Sequence, residues 1–507
     1  MKVDSYNKLN SHYKKIYPDY LNKITRILNK YHKKQYNTDY WEPIVGLYLR
    51  RFIAKYLFQK KTKKKNLDKI ASYKNVNLNK NYNDFADGDE TYFYKLKNLN
   101  SSDYFKIDKI NFFLRVMNTL RTIVPNILIK LGITKIFFQE SYFKKNLRNF
   151  FSLRSFFNLI SLPKLDCENY RIDKKKIFQN RLDLIDRYEI NNKKDFFLRN
   201  VIISMPINYI ENYNIIFNEV KKIYVSDAIY VDGNEVKFDF IKFYIAELIL
   251  RKKKILIGQH ALRTGLEDFN VYFDYSKSIS NFYLTWGWKN NDKKNIKFYS
   301  TRIFSSLKKY KKIDIIKKDK SNICFVLCGF LNMEENICDN FIENHKAEKA
   351  RIHLLEYINK VKGIKITLKP RQGSFIIKKK NNFYKKFKIL RDDVRMYDVF
   401  GNYDVIIFER ISLGIAECVY LNQPVIFYYP KNLYKQKNKK LNELLSSLKK
   451  ANIYFDDKKQ IMNLLNSKND ISKWWMNEKN VKNRNNFLNK FARTFKYNNF
   501  NEFKKLI

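Results

Sequence analysis

Residues 404–429, DVIIFERISLGIAECVYLNQPVIFYY, decide the fold class. Asp404–Phe408 is a short apolar, β-branched run, Ser412–Leu421 spaces its apolar residues as a helix does, and Pro424–Tyr429 is apolar again. A strand, a helix and a second strand in such close order form a βαβ unit. The helix returns the chain across the sheet, so the two strands run parallel. Ser412 stands where a helix N-cap belongs, with its hydroxyl free to accept from the first-turn N–H groups.

The same rhythm extends upstream. Ile364–Leu368 and Asn322–Cys328 read as strands, and Cys338–Val361 as a long helix with Ile352, Leu355, Ile358 and Val361 on one face. A lysine-rich, glycine-free segment, Leu307–Ser321, precedes them as a linker. Before it a separate series begins, with Lys222–Val225 as a strand, Phe238–Leu250 as a helix and Ile255–Ile257 as a strand. The expected fold class is therefore α/β, with two Rossmann-like domains. Leu21–Tyr31 and Ile44–Phe58 carry the apolar spacing of helices, residues 60–100 turn polar and loop-rich, and residues 105–160 read as aromatic and helical. Ile471–Phe495 reads as a helical tail anchored by Trp474 and Trp475. The expected organisation is a mainly helical region over 1–195, a first Rossmann-like domain over 196–306 that shares its core with that region, a linker over 307–321, a second such domain over 322–465, and a tail over 466–507.

Composition bounds the function. A chain of 507 residues, 45% hydrophobic and 16% aromatic, can bury two or three cores and is not disordered as a whole. Its formal net charge of +50 points to an anionic partner. A compositional bias toward Lys, Asn, Ile, Phe and Tyr, with only 12 Gly and 8 Pro, accounts for much of that charge without any ligand. Cys167, Cys324, Cys328, Cys338 and Cys418 show no CxxC spacing, so neither a disulfide framework nor a zinc site is implied. The start, MKVDSYNKLN, lacks a signal-peptide apolar stretch, and no apolar window is long enough to span a bilayer. The expected location is the cytoplasm, with peripheral contact to anionic lipid at the inner face of the inner membrane.

In parallel α/β sheets ligands bind beyond the carboxyl ends of the strands, so residues there carry the functional weight. His260, in Gly258-Gln259-His260 after the Ile255–Ile257 strand, is placed to take a proton from an acceptor hydroxyl; the competing reading is a histidine that only braces its loop. Trp286 and Trp288 flank Gly287 and read either as sugar-facing or hinge rings or as buried indoles. Lys369 and Arg371, around Pro370, are suited to a diphosphate. Ser412 would open a helix whose N-terminus favours phosphate, and Glu417 would accept from ribose hydroxyls; the plainer reading is an ordinary N-cap with an exposed Glu.

These motifs resemble a family of transferases encoded in bacterial lipopolysaccharide and surface-carbohydrate loci. That family shows a Gln-His-Gly-Gly stretch and then a Thr-Trp-Gly-Trp stretch, here Gln259-His260 followed by Ser280–Trp288 with Thr285-Trp286-Gly287-Trp288. Leu28-Asn29-Lys30-Tyr31-His32, Tyr40-Trp41 and Gly46-Leu47-Tyr48-Leu49 are similar to its opening signature, as is Pro206-Ile207-Asn208-Tyr209-Ile210-Glu211 ahead of Val225-Ser226-Asp227. The resemblance implies a GT-B-like fold, with two facing Rossmann domains, and transfer of a sugar or related group from a nucleotide-activated donor to a glycan or lipid-linked acceptor. It implies a nucleotide-sugar substrate rather than a bound cofactor, and no metal. His260 would be the base with Asp227 to orient it or to serve in its place, Lys369, Arg371, Ser412 and Glu417 would hold the donor, and Gln259, Trp286 and Trp288 would form an acceptor or hinge element. The chain departs from the family at Ala261-Leu262, where two glycines are usual, and at Glu409-Arg410-Ile411-Ser412, where an Asn-Ser-Thr-Thr-like stretch is usual. The departures motivate a non-catalytic scaffold as an alternative, and the charge motivates a nucleic-acid-binding protein. No nucleic-acid-binding motif supports the latter, so no specific nucleic acid is expected as a partner.

Overall fold

The computed structural model describes residues 3–61, 122–140, 159–162, 196–307, 311–314, 322–327, 341–370, 382–430, 439–466 and 471–494, except 204, 234, 237, 268 and 392, and also 152, 153, 155, 157, 181, 183–187, 502, 505 and 506. Two long helices, α1 (Val3–His32) and α2 (Thr38–Lys61), open the chain, followed by a helix over 122–130 (α3). Strands β1 (Ile136–Glu140) and β2 (Leu159–Ser161), helices α4 (Phe196–Ile203) and α5 (Tyr213–Lys221), strand β3 (Ala228–Asp232), helix α6 (Asp239–Leu250), strand β4 (Lys254–Gly258), helix α7 (Val271–Ser278), and strands β5 (Phe282–Thr285) and β6 (Asn295–Lys297) complete the first half. The sheet order is β2-β1-β3-β4-β5-β6, and β1, β2, β3 and β4 pair in parallel.

After α8 (Thr301–Leu307) come β7 (Asn322–Val326), α9 (Phe341–Ile358), β8 (Lys365–Lys369), β9 (Lys388–Ile389), β10 (Val405–Phe408), α10 (Leu413–Tyr420), β11 (Val425–Tyr428), α11 (Lys439–Lys450), β12 (Tyr454–Phe455), α12 (Lys458–Asn466), α13 (Ile471–Met476) and α14 (Glu478–Phe491). These strands form a second parallel sheet in the order β12-β11-β10-β7-β8-β9. The molecule is thus α/β with two Rossmann-like sheets, a helical amino-terminal region and a helical tail. Ile323, Cys324, Phe325, Val405, Ile406, Ile407, Val425, Ile426 and Phe427 are all fully buried. Such unbroken burial is what a parallel sheet covered on both faces demands of its strands.

Two strands occupy a region expected to be helical. Ile136-Phe137-Phe138 and Leu159-Ile160 are apolar runs too short for periodicity to separate strand from helix, and pairing settles them, β1 with β3 and β2 with β1. The Lys222–Val225 run is likewise no strand; it closes α5 and leads into β3 six residues later. The polar stretch expected over 60–100 lies outside the described residues from position 62 onward.

The chain divides into two compact units. An N-terminal unit comprises Lys8–Gly258, Val271–Tyr283 and Lys505–Ile507, and a C-terminal unit comprises Met1–Asn7, Gln259–Asn270 and Leu284–Lys504. Within the N-terminal unit α2 packs against α6 and α7. A buried polar knot ties this packing. Glu42 accepts from Tyr17 Oη, from Arg50 Nη2 at 2.6 Å and from Ser278 Oγ at 2.5 Å, while the Arg50 guanidinium lies 3.8 Å from the Tyr17 ring centroid. Gly46, one turn after Glu42, leaves the room this needs: a Cβ there would sit 2.9 Å from Glu42 Cδ. Asn29 holds Trp41 Nε1 at 2.8 Å, and His32 stacks on Tyr213 at 4.1 Å and bonds the Tyr209 carbonyl at 3.0 Å. Burial pushes the His32 pKa down to about 4. Asn208 donates to Asp239 at 2.7 Å, and Glu211 takes a two-point ion pair from Arg181 at 2.7 and 2.8 Å. The amino-terminal signature residues therefore build the interior of this unit.

Candidate functional site

In the second sheet the chain starts at β7, builds outward through β8 and β9, and returns to β10 on the other side of β7. The strand order reverses there, so the carboxyl ends of β7 and β10 bound the crevice where a parallel sheet takes its ligand. Glu409–Ser412 leaves β10 at that point. Ser412 Oγ accepts from Gly414 N at 3.0 Å, which makes it the N-cap of α10. Gly414 is dictated by packing, because a Cβ would meet the Phe408 ring at 2.6 Å. The helix start is thereby drawn tightly onto the end of β10.

Lys369 ends β8. Val326 is in register with Lys369 on one side and with Phe408 on the other, so Lys369 and the start of the Glu409 loop stand about two strand spacings, or about 10 Å, apart. Lys369 is 6% exposed, and its ammonium donates to the Pro370 carbonyl at 3.2 Å. Arg371 lies outside the described residues. Glu417, one and a half turns into α10, is buried at 4% exposure rather than displayed on a surface.

Glu409 would repel a phosphate if its charge stood alone. Arg351, on α9 and 2% exposed, meets it with Nε to Oε2 at 2.5 Å and donates from Nη1 to Tyr384 Oη at 3.1 Å. The paired carboxylate in turn raises the Arg351 pKa despite burial. The acidic residue at this position is thus neutralised from within the unit, and Arg351 ties α9 to the end of β10 and to Tyr384.

The Gln259-His260 stretch follows β4. Gln259 is fully buried and saturated. Its Nε2 donates to the carbonyls of Ala261 at 2.7 Å and Leu262 at 3.3 Å, and its Oε1 accepts from Trp286 N at 2.9 Å and Trp288 Nε1 at 2.8 Å. Both indoles are 1% exposed, so the structure places them inside, bracing the His260 loop. Gly287 between them has φ +117°, and a Cβ would strike the Asn489 carbonyl oxygen at 2.7 Å. The tail closes over this turn, with Arg493 N donating to Trp286 O at 2.9 Å and Ser300 N to Arg493 O at 2.6 Å. These bonds explain why residues 259–270 and 284–306 associate with the C-terminal unit, whereas the composition suggested a boundary at 306. His260 itself is half-buried, and its carbonyl accepts from Arg302 Nη1 at 3.3 Å. Arg302 belongs to α8, and α8 packs on α10, the helix that Ser412 opens.

Asp227 is not brought to His260. It precedes β3, is exposed, and pairs with Lys253 just ahead of β4 at 2.7 Å. Since β3 and β4 are parallel, Asp227 marks the amino edge of the sheet, and His260 continues from the carboxyl end of β4. The five residues of β4 put about 16 Å between those edges. Setting the strand at Lys222–Val225 leaves Asp227 just past a carboxyl end; the true strand reverses that.

Asp232 and Glu235 do stand at the carboxyl edge, where Asp232 is in register with Glu140 at the end of β1. The first sheet reverses its order between β1 and β3, so the end of β3 is its switch point. Asp232 ends β3 fully buried, with Tyr230 Oη 3.5 Å away, and Gly233 turns the chain at φ +74°. Glu235 is 2% exposed; one oxygen accepts from Ser276 Oγ at 2.8 Å, and the other is buried without a hydrogen-bond partner among the described residues. Burial, with the charge of Asp232 added, pushes its pKa up to about 7. Asp232-Gly233 directly after an apolar run was the available signal, hidden by the misplaced strand. Among the described residues no group of three or more His, Cys, Asp or Glu is arranged to hold a metal ion.

No curated protein matches the chain. Solved structures similar to it include spinosyn rhamnosyltransferase SpnG, 8% identical over 66% of this chain and 78% of that one, with TM-score 0.31. A UDP-forming trehalose-phosphate synthase from Burkholderia xenovorans is 10% identical over 71% and 98%, with TM-score 0.35. The wall teichoic acid polymerase TagF is 10% identical over 78% and 97%, with TM-score 0.33. Likenesses this remote leave the assignment to the family match. The model of the LIC12162 family transferases matches residues 89–507, which takes in the Gln259-His260 and Thr285–Trp288 stretches and leaves Leu28–Leu49 outside. Matched over that length, the chain belongs to the LIC12162 family of transferases.

Proposed function

We propose that this transferase is a GT-B-like glycosyltransferase that moves a sugar or related group from a nucleotide-activated donor to a lipopolysaccharide or other surface-glycan acceptor. The observation that carries the reading is the loop from Glu409 to Ser412. It leaves the second sheet at its switch point and opens a capped helix there, with a lysine about 10 Å away. In this reading the donor diphosphate meets the N–H groups at the start of α10 and the Lys369 ammonium, with Arg371 as a second cation. Glu417 accepts from the ribose hydroxyls.

Transfer is a single displacement. His260 accepts the proton of the acceptor hydroxyl as its oxygen attacks the anomeric carbon, the bond to the donor phosphate breaks, and Lys369 with the α10 N-terminus stabilises the leaving diphosphate. The test is turnover with a panel of nucleotide sugars, read as nucleoside diphosphate released. His260→Gln is expected to lower turnover by about 10²–10⁴ while nucleotide binding persists. Near-wild-type turnover in that variant would remove His260 from the mechanism.

A further inference from the structure

Helix α3, with Leu131 in the turn that follows it, carries an apolar stripe on its exposed side. Ile123, Val124, Ile127 and Leu131 fall within about 100° of arc at helical spacing, the width of the stripe a surface helix normally buries. Here they are 42, 61, 50 and 66% exposed. Another side meets the protein, where Asn126 Nδ2 donates to Lys222 O at 2.8 Å, Asn126 Oδ1 accepts from Tyr224 N at 2.9 Å, and Leu128 and Ile129 are half-buried. Leu153 and Phe157, 63 and 42% exposed, stand on a turn tied to the segment after α3, where Thr134 Oγ1 donates to the Phe157 carbonyl at 2.7 Å. Ile133, two residues past Leu131, and Tyr224, whose N–H bonds Asn126, are 40 and 45% exposed. Isolated exposed apolar residues need no explanation, whereas a contiguous patch marks an interaction surface.

Its border is basic. Lys130, Lys135 and Lys222 are exposed, the first with its ammonium 4.8 Å from the Tyr224 ring centroid and the last beside Glu219 at 2.5 Å. We propose that this face of the N-terminal unit docks on a phospholipid bilayer with anionic headgroups. The apolar stripe would enter the acyl boundary while the lysines meet the phosphates. Charge decides against a second copy as the occupant, because two such faces would set lysine against lysine in a chain of net charge +50. The proposal stands apart from the transfer reading and does not depend on it.

The experiment is co-sedimentation of the full chain with vesicles of phosphatidylcholine alone and with about one third phosphatidylglycerol. The expected result is binding to the anionic vesicles and little to the neutral ones. Ile127→Glu with Leu131→Glu should weaken that binding by on the order of tenfold or more, with the melting temperature unchanged. Four results would overturn the proposal. They are equal binding by the double variant, no binding by the wild type, a melting temperature lowered by several degrees in the variant (the chain itself covers the face), or a wild-type dimer that the variant abolishes with no lipid bound.

Discussion

Replacing Glu235 by Gln tests the buried carboxyl at the end of β3 through its proton. The side chain is 2% exposed, accepts from Ser276 at 2.8 Å, and has the charge of Asp232 nearby. Its pKa rises from an ordinary 4.5 to about 7, chiefly through burial. The native fold therefore prefers the protonated form. Below pH 4.5 the unfolded chain is protonated too and the stabilisation is fully present. As pH rises from 4.5 through 7 the unfolded carboxyl ionises first and the stabilisation is lost. A rise of about 2.5 units, at 1.36 kcal/mol each, amounts to about 3 kcal/mol lost by mildly alkaline pH. Gln resembles the protonated carboxyl, keeps an acceptor for Ser276 and cannot ionise. The assay is urea unfolding of variant and wild type in parallel at about pH 5 and about pH 8.5. A variant more stable by under about 1 kcal/mol at the lower pH and by up to about 3 kcal/mol at the higher is the expected result. A difference that is the same at both values would show that Glu235 does not titrate between them, and the reasoning from its burial would fail.

Three further outcomes follow from packing. Gly287→Ala should destabilise by at least about 2 kcal/mol, since Gly287 has φ +117° and the new Cβ would lie 2.7 Å from the Asn489 carbonyl; thermal unfolding and faster proteolysis of the tail would register it. Gln259→Leu strips partners from Trp286 N, Trp288 Nε1 and the carbonyls of Ala261 and Leu262, and should cost at least about 3 kcal/mol in urea unfolding. Arg351→Met leaves Glu409 buried and unpaired, for about 3–5 kcal/mol, and adding Glu409→Gln should recover most of it; a double variant no more stable than the single one would deny the pairing its role.

Much of the second sheet was legible because its strands are bounded. Val405–Phe408 and Val425–Tyr428 are apolar, β-branched and closed off by Glu409 and by Asn422-Gln423-Pro424, and Ser412 announces the helix between them. Phe238–Leu250 was equally clear, since its apolar spacing continues through three turns. The first sheet was harder. Lys222–Val225 and Ala228–Asp232 are nearly the same apolar motif, and no local feature chooses between them; burial and pairing with β1 choose the second. That one displacement turned Asp227 into a candidate and hid Asp232 and Glu235. Gln259 was visible as a motif residue, but its work depends on Trp288, twenty-nine positions away, a pairing no local pattern contains. The partner of Glu409 was invisible for the same reason, with Arg351 fifty-eight positions upstream.

The central claim is that a nucleotide diphosphate binds at the carboxyl edge of the second sheet, between β7 and β10. Calorimetric titration of UDP, CDP, GDP and TDP into wild type, Lys369→Met and His260→Gln tests it most directly. At least one nucleotide should bind the wild type, weaken by about tenfold or more in Lys369→Met through loss of a charge-assisted phosphate contact, and hold its affinity in His260→Gln. Equal affinity in wild type and Lys369→Met, or no binding of any of the four, would contradict the account.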